Sequence, residues 1–282
     1  MNKKSNTDMP WITNLTYTGN LFLQDYFKLW ENTNITLGLS YLYFNVEEGQ
    51  TKNKISPMIS LSQYLFTNFR IYTSYANAVR VPTLFQLYSE TSGNPNLKPE
   101  EANKIETGIE WYLFINDQDR YLSLQLAWFY NDLKNLIYRA SSSYRFQNIS
   151  EATLYGAEVQ SVFNYNRYLS AELGYAYLNS RDSSTEILEE VPQNKIYFRL
   201  GIRTDLRISL NYELNYFDER TTYVLSKKLD SYLLHNLNIS YQLLEFLKLR
   251  AELNNITDVY YEEELGYPSA GRTFIFGATL IF

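Results

Sequence analysis

The sequence predicts an all-β protein, a transmembrane antiparallel β-barrel, on three observations. Apolar residues alternate with polar ones in segment after segment, and a period of two is typical of strands with one apolar face. These segments run for about 10 to 15 residues, which is long enough for a tilted strand to cross a bilayer. Tyr, Phe and Trp make up 17% of the 282 residues, in keeping with the aromatic girdles of membrane barrels.

About thirteen such segments can be assigned, and the connections between them alternate between short and long. Because adjacent antiparallel strands place alternate connections at opposite ends, all short turns fall on one rim and all long loops on the other. This asymmetry is typical of outer-membrane barrels. The predicted strands cover residues 20–29, 34–46, 54–65, 68–80, 102–114, 120–132, 153–165, 168–179, 194–204, 206–217, 231–243, 246–256 and 271–282.

A soluble β-sandwich is the alternative fold, since its strands also carry one apolar face. Sandwich strands are shorter, with about 5 to 6 residues, so the longer runs favour the membrane barrel. The charged and amide residues are then expected to line the lumen, and the apolar and aromatic ones to face lipid. The sequence has no run of about 18 apolar residues, so a membrane-spanning helix is not predicted.

Composition and charge exclude several kinds of chemistry. The chain has no Cys, so disulfides, thiol nucleophiles and thiolate metal sites are excluded. Its net charge of -6 argues against a nucleic-acid partner, which a basic stripe would indicate. No apolar segment follows residues 1–10, so the sequence predicts no secretory signal peptide in this chain. No cofactor is predicted.

The segment around residues 71–110 carries a motif that periodicity alone does not explain. It contains V-R-V-P at Val79 to Pro82 and N-P-N-L-K-P-E at Asn94 to Glu100. Proline fixes φ and lacks a backbone donor, so the prolines end strand pairing and stiffen a long loop. The motif residues are Arg80, Pro82, Asn94, Pro95, Leu97, Pro99 and Glu100.

This motif resembles the hallmark segment of TonB-dependent outer-membrane receptors. In that family a strand ends in a Phe-Arg-Ala-Pro-like turn, and Asn-Pro-x-Leu-x-Pro-Glu leads into the next strand; here Val replaces the usual Phe and Ala. Three further segments resemble those of the family, one before this motif and two after it. They occur in the family's order and extend the resemblance over nearly the whole chain. They are L-F-L-Q-D-Y-F-K-L at Leu21 to Leu29, A-T-L-Y-G-A-E-V at Ala152 to Val159 and L-N-N-I-T-D-V-Y-Y at Leu253 to Tyr261.

The resemblance implies a role in the energy-coupled uptake of a scarce nutrient, such as a siderophore-chelated metal or cobalamin, and no enzymatic activity. The location would be the outer membrane of a Gram-negative bacterium. The implied partners are outer-membrane lipid, the barrel-assembly machinery, a small-molecule ligand, and the TonB complex through a plug domain. The terminal Phe282 would be the signal that the assembly machinery reads. A plug-free passive pore or a surface adhesion barrel is the alternative function.

Complete members of the family carry a plug and a barrel of 22 strands, whereas this sequence contains neither a plug nor so many strands. Bacterial barrels normally have an even number of strands. We therefore expect residues 1–282 to be the C-terminal portion of such a barrel, forming an open, curved sheet with two unpaired edges. Residues 1–14 are expected to be non-native sequence or the start of a loop.

Sites of other kinds have weak support in the sequence. His235 is the only histidine and falls on the predicted lipid face near the loop rim, where an interfacial role is favoured over a catalytic one. No Gly-x-Ser-x-Gly sequence supports a lipid hydrolase. Residues Thr83 to Gly93 contain no histidine, which under the resemblance disfavours haem uptake. Glu262, Glu263 and Glu264 could offer oxygen ligands to Ca²⁺, but a solvated loop face is favoured.

Candidate ligand contacts are the arginine and tyrosine side chains in or beside the long loops. Arginine pairs with anionic groups through two parallel hydrogen bonds, and tyrosine offers a flat surface with a hydroxyl group. The candidates are Arg80, Tyr88, Tyr144, Arg145, Arg220 and Tyr223.

Overall fold

The computed structural model of the chain describes residues 15–46, 51–117, 120–139, 144–182, 191–222 and 227–281. In chain order its elements are β1 (Thr16–Trp30), β2 (Thr33–Val46), β3 (Thr51–Phe66), β4 (Phe69–Arg80), α1 (Leu84–Tyr88), β5 (Glu100–Asp117), β6 (Arg120–Tyr138), β7 (Gln147–Asn166), β8 (Leu169–Asp182), β9 (Asn194–Arg203), β10 (Ile208–Phe217), β11 (Arg220–Thr221), β12 (Lys228–Leu229), β13 (Tyr232–Leu244), β14 (Leu247–Asn254), β15 (Glu262–Glu264), β16 (Tyr267–Pro268) and β17 (Thr273–Leu280). The predictions made for residues 1–14, Tyr223 and Phe282 lie outside the described residues.

Thirteen of these strands form a single antiparallel sheet in the order β1-β2-β3-β4-β5-β6-β7-β8-β9-β10-β13-β14-β17. The all-β fold and the thirteen strands of the prediction are therefore confirmed. Short turns join the strands at one rim, as predicted, and the long loops lie at the other rim. Turns of two residues lie at 31–32, 67–68, 167–168 and 245–246, and a turn of four residues, 204–207, joins β9 to β10.

The sheet keeps one apolar and one polar face across many strands. Residues directly opposite each other on successive strands form continuous rows, because their side chains point to the same side. One apolar row from β5 to β13 consists of Ile109, Leu126, Val159, Tyr175, Ile196, Tyr216 and Leu233. The adjacent row on the opposite face consists of Glu110, Gln125, Gln160, Gly174, Tyr197 and Asn215.

No protein layer packs on the apolar face in the part of the chain that the structure describes. Many large apolar side chains of the strands are exposed; Leu173 is 52% exposed and Phe276 79%. The hydrophobic residues that are buried together, Phe44, Val46, Leu87 and Leu97, lie at the long-loop end. Such a distribution is typical of a sheet whose apolar face is covered by lipid. Within the described ranges, no helix has the length and hydropathy to span a bilayer.

The sheet is open in the part of the chain that the structure describes. There, β1 pairs only with β2, and β17 pairs only with β14. Every residue of β1 after Thr16 is exposed. This agrees with the expectation of two unpaired edges.

Strands extend further into the loop side than predicted. The loop predicted at residues 133–152 is largely an extension of the β6–β7 hairpin, in which Lys134 lies opposite Glu151 and Tyr138 opposite Gln147. Asn135 has a φ of 57° and interrupts the alternation there. Outside the membrane a hairpin needs no apolar face, so periodicity does not reveal its full length. The two small hairpins, β11–β12 and β15–β16, were missed for the same reason.

Candidate functional site

The motif loop, residues 81–99, is closed at its base by an ion pair. Arg80 and Glu100 lie opposite each other on β4 and β5. The Arg80 Nε and Nη2 atoms each donate to one oxygen of the Glu100 carboxylate, both at 2.5 Å. Glu100 also accepts the backbone N–H of Ile137 at 2.8 Å, so this carboxylate joins the loop base to β6.

Helix α1 begins within this loop directly after the Val-Arg-Val-Pro sequence. The Thr83 hydroxyl accepts the backbone N–H of Gln86, and the Gln86 side chain accepts the backbone N–H of Thr83. This reciprocal capping box satisfies donors that the first turn would otherwise leave unpaired. Pro82, buried just before the cap, has no N–H to satisfy. The motif therefore starts a short helix at a defined place.

A hydrophobic cluster fastens the motif loop to neighbouring strands. Leu87 of α1 and Leu97 of the Asn-Pro-x-Leu sequence are 0% and 3% exposed, and they pack with Phe44 and Val46 of β2. Four partly buried residues surround this cluster. They are Val81, Tyr88, Ile137 and Phe146.

Polar contacts join the motif loop to the β6–β7 loop. The Asn94 side chain donates to the Phe146 carbonyl at 2.8 Å, and the Phe146 N–H donates to the Ser92 carbonyl at 2.9 Å. Asn148 accepts the N–H of Lys98 at 2.9 Å and donates to its carbonyl at 3.0 Å. The motif loop and residues 146–148 are thus held as a single unit by backbone and carboxamide hydrogen bonds.

A glycine lets the chain turn tightly inside this unit. A Cβ atom on Gly93 would lie 2.6 Å from both the backbone N and O of Ser89, and 2.8 Å from the carbonyl oxygen of Leu87. Side chains at this position would therefore collide with backbone atoms, which cannot move aside. The Gly-Asn-Pro sequence provides the close approach that the loop needs.

The candidate ligand residues occupy different environments. Tyr144 and Arg145 are exposed and line a hollow of about 210 Å³ together with Tyr138 and Gln147. Tyr88 packs on the hydrophobic cluster. Tyr144 and Arg145 therefore line the same hollow, and the structure does not identify a ligand for either of them.

Arg220, predicted as an exposed contact residue, is buried, with only 5% of its surface exposed. Its Nη2 and Nη1 atoms donate to the backbone carbonyls of Glu262 and Glu263, at 2.7 and 3.1 Å. Its guanidinium lies 5.3 Å from the centre of the Tyr232 ring, in cation–π geometry. Arg220 therefore joins the β11–β12 and β15–β16 hairpins, a role that its exposed-loop assignment did not anticipate.

The acidic residues considered for Ca²⁺ make other contacts. The Glu262 carboxylate accepts the Tyr260 hydroxyl at 2.6 Å and the Gly266 N–H at 2.8 Å. These hydrogen bonds, that of Tyr260 first, hold the pKa of Glu262 below its usual value. Among the residues that the structure describes, no group of three His, Asp or Glu side chains could hold a metal ion.

A charged ladder on the polar face was missed by sequence reasoning. Arg199 of β9 lies between Glu172 of β8 and Glu213 of β10, with contacts of 3.5 and 3.4 Å. Gln160 and Tyr197 also donate to Glu172, at 2.7 and 2.9 Å. The ladder borders a hollow of about 550 Å³ near the short-turn rim. Alternation marks each residue as polar-facing, but only the register between strands brings them together.

His235 has a specific partner on the apolar face. It lies opposite Leu214 on β10, and its Nδ1 is 2.6 Å from the Tyr212 hydroxyl. A tyrosine and a histidine that hydrogen-bond each other near the loop rim reduce the cost of placing polar groups on an apolar surface. No nucleophile is positioned by this contact.

The comparisons with known proteins agree on one family. The family described as "TonB dependent receptor-like, beta-barrel" matches residues 3–256. The vitamin B12 transporter BtuB of Vibrio cholerae serotype O1 is 25% identical over 232 residues, covering 77% of this chain. A ferric enterobactin receptor (PfeA) mutant from Pseudomonas aeruginosa matches 95% of the chain with a TM-score of 0.76 and 20% identity. The copper transporter OprC matches 95% with a TM-score of 0.77 and 17% identity.

The chain spans only part of the length of these proteins. It covers 35% of the Vibrio cholerae transporter, 45% of the enterobactin receptor and 50% of the copper transporter. At identities of 20% and 17%, the two structural matches establish a common fold, while their ligands remain properties of those proteins.

Proposed function

Because this chain belongs to the family of TonB-dependent receptor β-barrels, we propose that it forms part of the wall of a receptor for energy-coupled nutrient uptake. The single observation that carries the proposal is the family match over residues 3–256. The proposed substrate class is a siderophore-type metal chelate or cobalamin. Two of the similar proteins are a vitamin B12 transporter and a ferric enterobactin receptor. The protein is not an enzyme in this proposal.

The proposed location is the outer membrane of a Gram-negative bacterium, with the apolar rows of the sheet in contact with lipid. Unpaired strand edges are not tolerated in the hydrocarbon region, because their N–H and C=O groups find no water there. We propose that the free edges of β1 and β17 pair with further strands of the same barrel. Phe282 is proposed to be read by the barrel-assembly machinery, and the TonB complex to act through a plug domain.

The external loops are the proposed place of ligand capture. The motif residues Pro82, Asn94, Pro95, Leu97 and Pro99 shape and fasten the loop in this proposal, and the exposed side chains around them meet the ligand. Phe85 and Tyr144 are 63% and 57% exposed, and the Phe85 ring makes an edge contact with Phe146, with ring centres 5.9 Å apart. Further proposed contacts are Arg80, Tyr88, Arg145 and Tyr223, with Arg220 acting through the loops that it joins.

Uptake in whole cells tests the proposal. Cells without their own cobalamin and enterobactin receptors would express the full gene product that contains this chain, and would be given labelled cyanocobalamin or labelled ferric enterobactin. The proposal predicts accumulation of one of them that stops when the proton-motive force is collapsed. Accumulation of neither would contradict the proposed substrate class. Uptake that is independent of the proton-motive force would instead indicate a passive pore, if the protein also gives a steady conductance in planar bilayers.

A further inference from the structure

The ladder between β3 and β4 ends before either strand does. Its last pair on the loop side is Met58 and Ala76. Beyond that pair, β3 continues along β2 as far as Thr51, and β4 continues along β5 as far as Arg80. Pro57, which has no backbone N–H to donate, is the first β3 residue past the end of the ladder. A gap therefore opens in the wall between two strands that are each paired on their other side.

Side chains bridge this gap where backbone hydrogen bonds are missing. The Ser56 hydroxyl donates to the Asn77 side-chain oxygen at 3.0 Å. Further towards the loops, the Lys54 ammonium group donates to the Glu101 carboxylate of β5 at 2.5 Å. The side chains of Lys54 and Glu101 are 35% and 31% exposed, so this pair is partly screened from water. The second of these bridges, between Lys54 and Glu101, forms one wall of a cleft.

The cleft contains a cavity of about 250 Å³ in which positive charge exceeds negative charge. Three lysines, Lys52, Lys54 and Lys98, line it together with one carboxylate, that of Glu101. Glu101 pairs with Lys54, and none of the ion pairs between described residues involves Lys52 or Lys98. The backbone of Lys98 is fixed by its two hydrogen bonds to Asn148. Excess positive charge is thus set beside a cavity whose walls are held in place.

We propose that this cavity binds an oxyanion, the phosphate group. Lys52 and Lys98 bind its oxygens through charge-assisted hydrogen bonds, which are stronger than neutral ones. The Lys54–Glu101 pair forms a fixed wall of the cavity, which Asn53 and Asn135 also line. The volume is below the roughly 300 to 1,000 Å³ typical of drug-sized ligands, so a small anion fits. Two sources share this chemistry, a free phosphate anion and the phosphate on a membrane-lipid headgroup, and the experiment distinguishes them.

Binding of inorganic phosphate to the purified full gene product that contains this chain, in a neutral, phosphate-free detergent, tests the site. The unaltered protein is expected to bind phosphate saturably, and the double variant Lys52→Gln, Lys98→Gln to bind it at least tenfold more weakly. Lys248→Gln is the matched control, since Lys248 is an exposed lysine on β14 near the opposite rim; it should leave binding unchanged. Lys98→Gln alone, a change to an exposed side chain, should keep the fold and still weaken binding severalfold.

A second arm separates the two sources of the anion. The same proteins would be tested against vesicles of neutral lipid with and without a phosphorylated glycolipid. Saturation by phosphate without lipid assigns a free anion, while binding seen only with the phosphorylated vesicles assigns a headgroup. Either result, if lost in the lysine variants, supports the oxyanion site. No binding in either arm, or equal binding by the unaltered protein and the double variant, overturns it.

Discussion

Arg80 and Glu100 face each other across the β4–β5 ladder and close the motif loop with a two-point ion pair. The two side chains differ in exposure to solvent: that of Arg80 is 51% exposed and that of Glu100 only 10%. Glu100 also accepts the Ile137 N–H. The arginine and the glutamate of the motif are therefore joined in space, although the whole loop separates them in sequence.

Removing either partner is expected to loosen the base of the motif loop. Glu100→Ala leaves a half-exposed guanidinium and the backbone N–H of Ile137 without their acceptor, at a cost of about 2 kcal/mol. Arg80→Ala leaves the mostly buried Glu100 carboxylate without its counter-charge, which should cost about 2 kcal/mol or more. Hydrogen exchange of residues 81–99 measures both effects. Arg250→Ala, which breaks the ion pair with Glu252 on β14, is the control. Exchange in either variant that is as slow as in the unaltered protein would show that the ion pair does not hold the loop.

Leu87 is expected to hold helix α1 to the sheet, whereas Leu84 on the same helix is not. Leu87 is 0% exposed and Leu84 is 52% exposed. Leu87→Ala removes buried methyl groups from the cluster with Phe44 and should cost about 2 to 5 kcal/mol. Leu84→Ala should change the free energy of unfolding by less than about 0.5 kcal/mol. Proteolysis of the loop in native conditions would report both, and similar cleavage of the two variants would exclude this packing.

Arg220 is expected to couple the two external hairpins. Arg220→Lys keeps a positive charge but cannot donate to two carbonyls in a fixed fork. We expect residues 257–270 to exchange amide hydrogens at least tenfold faster in this variant. Lys228→Gln, which breaks the exposed pair with Glu219, should leave that segment unchanged. If the lysine variant protects residues 257–270 as well as the unaltered protein does, the coupling does not depend on Arg220.

Acid is expected to loosen the β15–β16 turn through Glu262. Because hydrogen bonds from Tyr260 and Gly266 lower the pKa of this carboxyl in the fold, its contribution is complete above the unfolded value of about 4.3. It is lost as pH falls through the lower folded value. The amide shift of Gly266, followed from pH 7 to 2, should therefore titrate below about 4.3. Tyr260→Phe should move that titration upwards, and a midpoint that stays in place would show that the hydroxyl has no effect.

The alternation of apolar and polar residues predicted the two faces of the sheet. Side chains such as Ile109 and Leu126 must face lipid, while Glu110 and Gln125 must not. The alternation could not predict contacts that depend on the register between strands, such as Arg199 between Glu172 and Glu213. Nor could it predict that Arg220 is buried. Arg220 donates to backbone carbonyls. Every residue has such a carbonyl, so the amino-acid sequence does not indicate which ones will be its acceptors.

The loops illustrate the same limit. The Asn-Pro-x-Leu-x-Pro-Glu sequence was identified from its prolines and from a resemblance. That Leu97 would pack against Phe44 of a distant strand follows from the fold of the loop and not from local propensity. The extension of β6 to Tyr138 was missed because residues 133–138, L-K-N-L-I-Y, do not alternate between apolar and polar side chains.

Single cysteines along β6 show whether one face of the sheet lies against lipid. The chain contains no Cys, so a spin label can be placed at Leu124, Gln125, Leu126 and Ala127 in turn. In lipid bilayers, labels at Leu124 and Leu126 should be relaxed mainly by dissolved oxygen. Those at Gln125 and Ala127 should be relaxed mainly by a water-soluble nickel complex or be shielded. Uniform access of the nickel complex to all four labels would contradict the account.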